Sequence, residues 1–520
     1  MKKILISTVA LSTLLFTVSC KRDFDTDVSS VTVTKGDADF TKYVSIGNSL
    51  TSGYRDGALY IDGQNESFPS MIAAQMKLAG GGEFKQPLMA DNLGGIPAVG
   101  FTNKRVLTPT MGLGFAAGTG ATTLANIYAS GPYNNMGVPG AKSYHLVAPG
   151  YGNPANLPLG KANPYFVRFA KNPATSSVLS DAMEMKPSFF SLWIGNNDVL
   201  SYATNGGMNS TTVNGVTTYT PAVVQTGNLD PTTYKGNDIS DPNVVGGVIK
   251  SVLDGLKSVG STKGVIANIP NVTAIPFFNR VPYNTIALDA TKAAAINSSL
   301  IIPLIGALHY LGRGGRFVPV VSGNNPVIIV DNSLPNVSAG LTAVLTANGY
   351  PATQAAFLGN AFGQARQAKA GELILLTASN ELGLDAITRQ APTATSQFII
   401  GASFPLADQF SLTSKEVNNI ATAVTAYNTA ISGLASSYSL ALVDANTKMG
   451  ELNSTAGIQF DGVKYTATFV TGGSFSLDGV HPTGRGYAIL ANEFIKAINA
   501  KYSSTLPLVN VNKYSGVTFP

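Results

Sequence analysis

One strand-and-turn segment, Tyr43-Val44-Ser45-Ile46-Gly47-Asn48-Ser49-Leu50, gives the strongest indication of how this chain folds. Its first four residues are mostly β-branched or aromatic, which is typical of a buried strand, and Gly47 and Asn48 favour a tight turn before a helix. The serine then lies at the carboxyl end of a strand, where open α/β sheets bind their ligands. An ordinary turn would show the same tetrapeptide Gly-Asn-Ser-Leu, so its meaning depends on the segments that accompany it.

The composition indicates a large protein with a sizeable apolar core and few charges. The chain has 520 residues, of which 44% are hydrophobic and 12% are charged. Its 54 glycines and 28 prolines indicate many turns and long surface connections. The net charge is only +5, and lysine and arginine form no cluster. We therefore expect no nucleic-acid partner.

The first twenty residues have the pattern of an export signal. Lys2 and Lys3 precede an apolar run at 4–18, which is too short for a membrane span and ends at Ser19-Cys20. A single cysteine after such a run resembles the lipobox of bacterial lipoproteins, although Thr17 stands where an aliphatic residue is usual. This resemblance implies that Cys20 becomes the lipid-modified first residue of a mature protein. Its membrane partner would be the cell envelope, at the periplasmic or surface face of the outer membrane.

An ordinary cleaved signal peptide with an incidental cysteine is the alternative interpretation of this leader. In either case the polar residues 21–38 predict a flexible tether. Because Cys20 is the only cysteine, the sequence predicts a fold that forms without an intrachain disulfide.

Two further segments place polar residues at the ends of predicted strands. Residues 133–141 predict a short strand that turns at Pro139-Gly140, where glycine lets a ligand approach closely, although a type II turn uses the same pair. The apolar run 189–194 predicts a strand buried on both faces, followed by Gly195-Asn196-Asn197-Asp198. An asparagine there can donate its side-chain amide into the crevice, but an Asx-rich loop gives the same pattern.

The fourth segment pairs an aspartate with a histidine just before a predicted amphipathic helix. Asp478 and His481 lie three residues apart around Gly479, so one turn can bring the carboxylate to one ring nitrogen. The other ring nitrogen is then free to act as a base, as a serine nucleophile requires. A structural Asp–His pair capping the last helix is the alternative. His145, five residues after Gly140, is a rival base that could face the same crevice.

Strand and helix patterns alternate along the rest of the chain. Buried strands are predicted at 264–270 and 440–444. Amphipathic helices are predicted at 68–78 and 248–259, and a third follows the capping box that Thr413 opens. Alternation of this kind predicts an α/β fold with a parallel sheet.

Three segments interrupt this alternation and are interpreted as insertions, at about 85–130, 203–242 and 280–411. The third insertion predicts helices at 293–309 and 355–376 and a hairpin between 317–321 and 327–330. His309 lies on the first of these helices among apolar residues, and we interpret it as a core residue.

The four polar segments stand in the order expected of the SGNH (GDSL-type) hydrolases, a family that this chain resembles. The matching blocks are Gly47-Asn48-Ser49-Leu50, Gly140, Gly195-Asn196-Asn197-Asp198 and Asp478-x-x-His481. Asn48 stands where the family usually has aspartate, at a position outside the catalytic triad. The resemblance implies a three-layer α/β/α sandwich with a five-stranded parallel sheet, which is a flavodoxin-like arrangement. It implies one catalytic domain at 39–505 that carries the insertions, followed by a tail at 506–520.

The resemblance also implies a role for each matching residue. Ser49 would be the nucleophile, His481 the general base and then acid, and Asp478 the residue that orients His481. The oxyanion hole would consist of the backbone N–H groups of Ser49 and Gly140 and the side-chain amide of Asn197. Such a site requires neither metal nor cofactor.

The function that follows is an extracytoplasmic serine esterase that cleaves acyl or acetyl esters of lipids or glycans. The alternative is a surface lipoprotein that binds glycan or lipid on this scaffold without turnover. The presence of every expected catalytic residue favours the enzyme, because a binding protein is free to lose them. The insertions are expected to determine the substrate.

Overall fold

Five buried strands form one parallel sheet at the centre of the protein. The structure is a computed structural model, and it describes residues 32–393 and 395–520. In sheet order β5-β4-β3-β1-β2, the strands are β1 (Tyr43–Gly47), β2 (Asn135–Gly137), β3 (Phe189–Trp193), β4 (Gly264–Ala267) and β5 (Ala441–Val443). The predicted five-stranded parallel sheet is therefore confirmed.

The order of the strands creates a topological switch point beside β1. Strand β1 lies between β2 and β3, with Gly47 in register with Gly137 on one side and with Trp193 on the other. The chain thus reverses its direction of winding between β1 and β3, and flavodoxin-like sheets bind their ligands at this switch point, beyond the carboxyl ends of the strands. The segments after β1, β2 and β3 all begin at this edge.

Helices cover both faces of the sheet, which confirms the three-layer α/β/α sandwich. On one face lie α2 (Phe68–Leu78) and α7 (Gly484–Tyr502), where the rings of Phe68 and Phe494 stack with centroids 4.6 Å apart beside Trp193. The other face is covered by α3 (Val178–Glu184), α5 (Pro242–Ser258) and α6 (Ser414–Ser437). Two short helices, α1 (Ser49–Ser52) and α4 (Asn197–Thr204), begin at the carboxyl ends of β1 and β3.

Side-chain caps explain where the predicted helices begin. The hydroxyl of Thr413 accepts from the N–H of Glu416, and the carboxylate of Glu416 accepts from the N–H of Thr413, so the predicted capping box is present. The hydroxyl of Thr483 accepts from the N–H of Gly486 at 3.1 Å and starts α7 directly after the Asp478–His481 turn. Each cap satisfies a backbone donor that the first turn leaves free.

The first two insertions are mostly irregular, and each carries one antiparallel hairpin. In the first, Arg105–Leu107 pairs with Leu113–Phe115. In the second, Met208–Val213 pairs with Val216–Pro221, and most of this hairpin is exposed. A further hairpin, Ile458–Phe460 with Val463–Tyr465, was not anticipated from the sequence.

The third insertion has a hydrophobic core of its own, formed by residues such as Leu300, Leu304, Leu308, Leu341, Leu345 and Phe362. Its helices are Ala290–Ile296, Ile302–Tyr310, Ser338–Ala347 and Ala352–Phe362, and a π-helical turn at Asn297–Ile301 joins the first two. By length and composition the run Ala290–Tyr310 is long and apolar enough to cross a membrane. A third of its most apolar window is buried within the protein.

Three expectations for this insertion are wrong. The hairpin between 317–321 and 327–330 does not form, because Gly323–Asn325 pairs with Ile286–Leu288 and Ile328–Val330 pairs with Ala365–Gln367. The helix predicted at 355–376 ends at Phe362, before that last strand. His309 is exposed, because it lies about 100° around the helix from the buried Leu308.

Both ends of the described chain pack against the domain. At the N-terminal end, the N–H of Asp37 donates to the carbonyl of Tyr502 at 2.7 Å, and Ala38 is buried. In the predicted tail, Val509 and Val511 are buried, and the side chain of Asn492 exchanges two hydrogen bonds with the backbone of Val509. Among the described residues, the remaining short α-helices are Ile61–Asn65, Pro164–Val167, Pro276–Asn279 and Ala445–Asn453, and the remaining strands are Leu373–Ile374 and Ser411–Leu412.

Candidate active site

Ser49 lies on a tight turn between β1 and α1. Gly47 ends the strand, and a Cβ at this position would lie 2.4 Å from the carbonyl oxygen of Trp193, so only glycine fits. The side chain of Asn48 accepts from the N–H of Leu50 at 3.2 Å and caps the short helix. This geometry leaves the Ser49 hydroxyl at the carboxyl edge of the sheet, where the residue is 7% exposed.

The structure brings Ser49, His481 and Asp478 into one hydrogen-bonded chain. Nε2 of His481 lies 2.9 Å from Oγ of Ser49, and Nδ1 of the same ring lies 2.8 Å from Oδ2 of Asp478. An ionised carboxylate only accepts, so Nδ1 carries the ring proton and Nε2 is free to accept from the Ser49 hydroxyl. The arrangement can therefore remove the serine proton and stabilise the resulting imidazolium.

Five hydrogen-bond donors surround the carboxylate of Asp478. Burial alone would raise the pKa of Asp478, but the charge of His481 and hydrogen bonds from His481 and Val480 outweigh it and lower the pKa to about 2. Oδ1 accepts from the N–H groups of Val480 and His481 at 2.9 and 2.8 Å and from the Ser476 hydroxyl at 3.1 Å. Oδ2 accepts from His481 and from the N–H of Gly57 at 3.0 Å.

The segment after α1 supports the Asp478–His481 turn, and sequence reasoning missed it. The carboxylate of Asp56 accepts from the N–H of Leu477 at 3.0 Å, while the N–H of Asp56 donates to the Ser476 hydroxyl at 2.9 Å. Asp56 has a φ of 56°, a left-handed conformation that is uncommon outside glycine. No local pattern marks this residue, because its partners lie about 420 positions along the chain.

An aromatic side chain fixes the other side of the imidazole. The ring of Tyr54 packs on the ring of His481 with centroids 4.8 Å apart. Tyr54 is held in turn by Tyr487 of helix α7, whose hydroxyl donates to the Tyr54 carbonyl at 2.6 Å, and by an edge-on contact with Tyr165. These contacts restrict rotation of the His481 ring away from Ser49.

Two backbone N–H groups at the predicted oxyanion hole have no acceptor within residues 32–393 and 395–520. Among the residues that the structure describes, neither Ser49 nor Gly140 donates its N–H to a protein oxygen. Gly140 has a φ of 80°, is exposed, and has only one atom, Nδ2 of Asn163, within 4 Å of where a Cβ would be. An N–H beside such an open space can donate to a bound oxygen atom.

The side-chain amide of Asn197, the third donor predicted for the oxyanion hole, makes one hydrogen bond within the described part of the chain. One hydrogen of its side-chain amide goes to the carbonyl of Ala141 at 2.9 Å, which joins the start of α4 to the segment after β2. The amide has a second hydrogen, which is free to donate. Within the described part of the chain, the side-chain oxygen of the neighbouring Asn196 is buried without a partner.

Asp198 connects the two segments that carry these donors. The carboxylate is fully buried and accepts from both the N–H and the hydroxyl of Ser143, at 2.7 and 2.8 Å. Burial raises the pKa of Asp198, whereas the nearby charge of Lys142 and the Ser143 hydrogen bonds act in the opposite direction. Because Ser143 follows Gly140 closely and Asp198 follows Asn197, one carboxylate sets the distance between the two segments.

His145 is engaged in a different set of contacts. Its Nδ1 accepts from the N–H of Lys142 at 3.1 Å, and its ring stacks on Tyr151 with centroids 4.5 Å apart. Burial, reinforced by the charge of Lys142, lowers the pKa of His145 to about 4. Of the two histidines that the sequence offered as a base, His481 is therefore the one within hydrogen-bond distance of Ser49.

Cys20, the predicted lipidation site, lies outside the described residues, as does the whole predicted leader. No protein-family model, curated protein or solved structure matches this chain.

Proposed function

We propose that this chain is a serine ester hydrolase, acting outside the cytoplasm on acyl or acetyl esters of lipids or glycans. The observation that carries the proposal is the chain of contacts from Ser49 through His481 to Asp478, at 2.9 and 2.8 Å. A serine and a histidine in contact are common in proteins. The same histidine bonded to a buried carboxylate, beside backbone donors that have no acceptor among the described residues, is the arrangement that acyl transfer requires.

In the first half of the reaction, Oγ of Ser49 attacks the ester carbonyl carbon while Nε2 of His481 takes its proton. The carbonyl double bond opens to a tetrahedral oxyanion. When this intermediate collapses, the bond to the alcohol oxygen breaks, and His481 returns the proton to the leaving alcohol. Ser49 is left as an acyl ester.

The oxyanion is stabilised by the N–H groups of Ser49 and Gly140 and by the second amide hydrogen of Asn197. These donors are held before substrate arrives, so they do not need to reorganise as charge develops. Removal of one donor of this kind typically slows an enzyme about a hundred- to a thousandfold.

In the second half, water attacks the acyl ester while His481 accepts its proton, and the acid leaves as His481 returns that proton to Ser49. Asp478 stays ionised throughout and balances the imidazolium at both stages. The reaction consumes one water and releases one alcohol and one acid.

The direct test is hydrolysis of aryl esters by Ser49→Ala, His481→Ala and the double variant. Each single change should remove nearly all activity, and the double variant should be hardly worse than either, because the two residues act as a unit. A serine-directed phosphonate should label the wild type at Ser49 and leave Ser49→Ala unlabelled. Wild-type activity in a folded Ser49→Ala protein would disprove the proposal.

Alanine variants of the other two histidines show whether a loss of hydrolysis in His481→Ala is specific to that residue. His309→Ala changes an exposed residue of the third insertion and should leave hydrolysis unchanged. His145→Ala should retain most of its activity, because His145 contacts Lys142 and Tyr151 rather than Ser49. An inactive His145→Ala beside an active His481→Ala would show that the wrong histidine has been assigned as base.

A further inference from the structure

Residues 55–58 form a tight turn shortly after α1, and its two ends exchange backbone hydrogen bonds at 3.1 Å. The central residues Asp56 and Gly57 have φ angles of 56° and 76°, as in a type I′ turn. Such a turn leaves both central N–H groups free to bond elsewhere. That of Asp56 donates to the hydroxyl of Ser476 at 2.9 Å, and that of Gly57 donates to Oδ2 of Asp478 at 3.0 Å. Two consecutive backbone donors therefore hold the segment that carries the proposed base.

The side chain of Asp56 makes a separate contact with the same segment. Its Oδ1 accepts from the N–H of Leu477 at 3.0 Å. The hydroxyl of Ser476, which accepts from the backbone of Asp56, donates in turn to Oδ1 of Asp478 at 3.1 Å. Asp56 thus contacts both residues that precede Asp478, and one of them continues the hydrogen bonding to the Asp478 carboxylate.

Neighbouring side chains fix the carboxylate of Asp56. Its Oδ2 accepts from the hydroxyl of Tyr60 at 2.6 Å. The Tyr60 oxygen accepts from Nε of Arg55 at 2.7 Å, so its single hydrogen is directed to Asp56. Arg55 is buried, and its Nη1 donates to Glu66 at 2.6 Å. Each partner of Asp56 is therefore held by a further hydrogen bond, which gives Asp56 a defined position.

The position of the Asp478–His481 turn decides whether the proposed proton transfer can occur. The ring of His481 must reach Asp478 and Ser49 at once, and its two nitrogens lie 2.8 and 2.9 Å from their oxygens. A displacement of about 1 Å, caused by a change away from the reacting atoms, can slow an enzyme about a hundredfold. A residue that fixes this turn therefore affects the rate without contacting Ser49.

We infer that Asp56 is a positioning residue for the proposed reaction, and that it acts through Ser476 and Leu477 to hold the Asp478–His481 turn at its distance from Ser49. This inference rests on the proposed function, since it takes His481 as the base. Loss of the Asp56 carboxylate should lower kcat about ten- to a hundredfold. KM should change little, because the geometry of proton transfer affects the transition state more than the binding of substrate.

The test is steady-state hydrolysis of an aryl ester by two variants of Asp56. Asp56→Gly keeps the backbone N–H and the left-handed φ but removes the carboxylate, so kcat should fall about ten- to a hundredfold with KM within about twofold. Asp56→Asn keeps an oxygen that can accept from Leu477 and should lose less. Tyr60→Phe removes the hydroxyl that holds Asp56 and should also lower kcat, with KM unchanged. A wild-type kcat in Asp56→Gly, or losses confined to KM or to the melting temperature, would overturn the inference.

Asn214→Gly is the matched control for the backbone change. Asn214 and Gly215 have φ angles of 50° and 77°, and they connect the two strands of the exposed hairpin in the second insertion. The same substitution in the same type of turn should leave kcat and KM at wild-type values. A loss in Asn214→Gly equal to that in Asp56→Gly would show that the effect of Asp56→Gly is not specific, and would overturn the inference.

Proton NMR separates this inference from the proposed function. The Nδ1 proton that His481 donates to Asp478 has a resonance that depends on this hydrogen bond, whether or not an ester is hydrolysed, and its absence from His481→Ala assigns it. Asp56→Gly should shift or broaden the resonance, and Asn214→Gly should not. A shift in a protein that hydrolyses no ester would support the positioning of His481 by Asp56 and refute the esterase proposal alone. An unchanged resonance beside hydrolysis that depends on Ser49 would overturn the positioning role and leave the esterase proposal intact.

Discussion

The N–H of Gly57 donates to Oδ2 of Asp478 at 3.0 Å, the same oxygen that accepts from the ring of His481. A group from the turn after the proposed nucleophile thus holds the carboxylate that orients the proposed base. The two residues are 421 positions apart, so the contact forms only when the sheet has brought both segments together.

Asp478→Asn should lower kcat about a thousand- to ten-thousandfold. An amide has one acceptor oxygen and one donor nitrogen, so it cannot satisfy all the groups that now donate to both carboxylate oxygens. If the amide nitrogen faces His481, it also favours the wrong tautomer of the ring. Steady-state kinetics on an aryl ester measures the loss, and an unchanged kcat would show that Asp478 does not orient the base.

The difference in stability between Asp478→Asn and the wild type should depend on pH. The pKa of Asp478 is about 2 in the folded protein, below its ordinary value of about 3.9, so ionised Asp478 stabilises the fold above pH 4. This stabilisation is lost as the pH falls from about 4 to about 2. The melting temperature of Asp478→Asn should therefore lie below that of the wild type at pH 7, with the gap narrowing in acid. A constant gap would contradict the assignment.

Asn197→Ala should reduce kcat about a hundred- to a thousandfold with little change in KM, because the donor acts mainly on the transition state. Asn196→Ala is the matched control and should be much milder. Its buried side-chain oxygen has no partner among the described residues, whereas the amide of Asn197 already bonds Ala141. Equal losses at both positions would argue against Asn197 as the oxyanion donor.

Asp198→Asn tests whether catalysis depends on the distance between the segment that carries Gly140 and the segment that carries Asn197. The change keeps the size of the side chain but replaces one of the two oxygens that accept from Ser143. We expect kcat to fall about ten- to a hundredfold with KM nearly constant, and Ser143→Ala to show a smaller loss of the same kind. A loss expressed in KM, or only in the melting temperature, would indicate a purely structural role.

Asp408→Asn should stabilise the protein in alkali. Burial, followed by the neighbouring carboxylates of Glu416 and Asp331, raises the pKa of Asp408 to about 8. Because the ordinary value is near 4, this group makes folding less favourable as the pH rises from about 4 to about 8. The melting temperature of the variant should match the wild type near pH 4 and exceed it at pH 9.

Lipid anchoring can be tested through Cys20. In a Gram-negative host the wild type should partition into the detergent phase, and Cys20→Ser should accumulate as an unprocessed precursor or be released. Wild-type protein found in the aqueous phase would refute anchoring and favour an ordinary cleaved signal.

The sequence predicted those features whose cause is local. The strand before Ser49, the capping box at Thr413 and the Asp478–His481 turn all depend on residues a few positions apart, and each forms as expected. The support from Asp56 and Gly57 was missed, because both residues act on a segment about 420 positions away.

The wrong hairpin prediction in the third insertion also results from contacts between segments that are distant in sequence. Each half of the predicted hairpin had strand character, but Ile328–Val330 found its partner at Ala365–Gln367 rather than in the adjacent strand. Which two strands pair depends on which of their faces can be buried together in the folded protein. A run of β-branched residues favours a strand but does not specify its partner.

The contact between Ser49 and His481 spans 432 positions, and this separation has a consequence during synthesis. At about 5–20 residues per second, a ribosome takes roughly 20 to 90 s to travel from the serine codon to the histidine codon. Throughout that interval the growing polypeptide carries Ser49 without His481, the residue proposed to activate it. The proposed hydrolase would therefore gain activity only after the strands on either side of β1 have closed around a nearly finished chain.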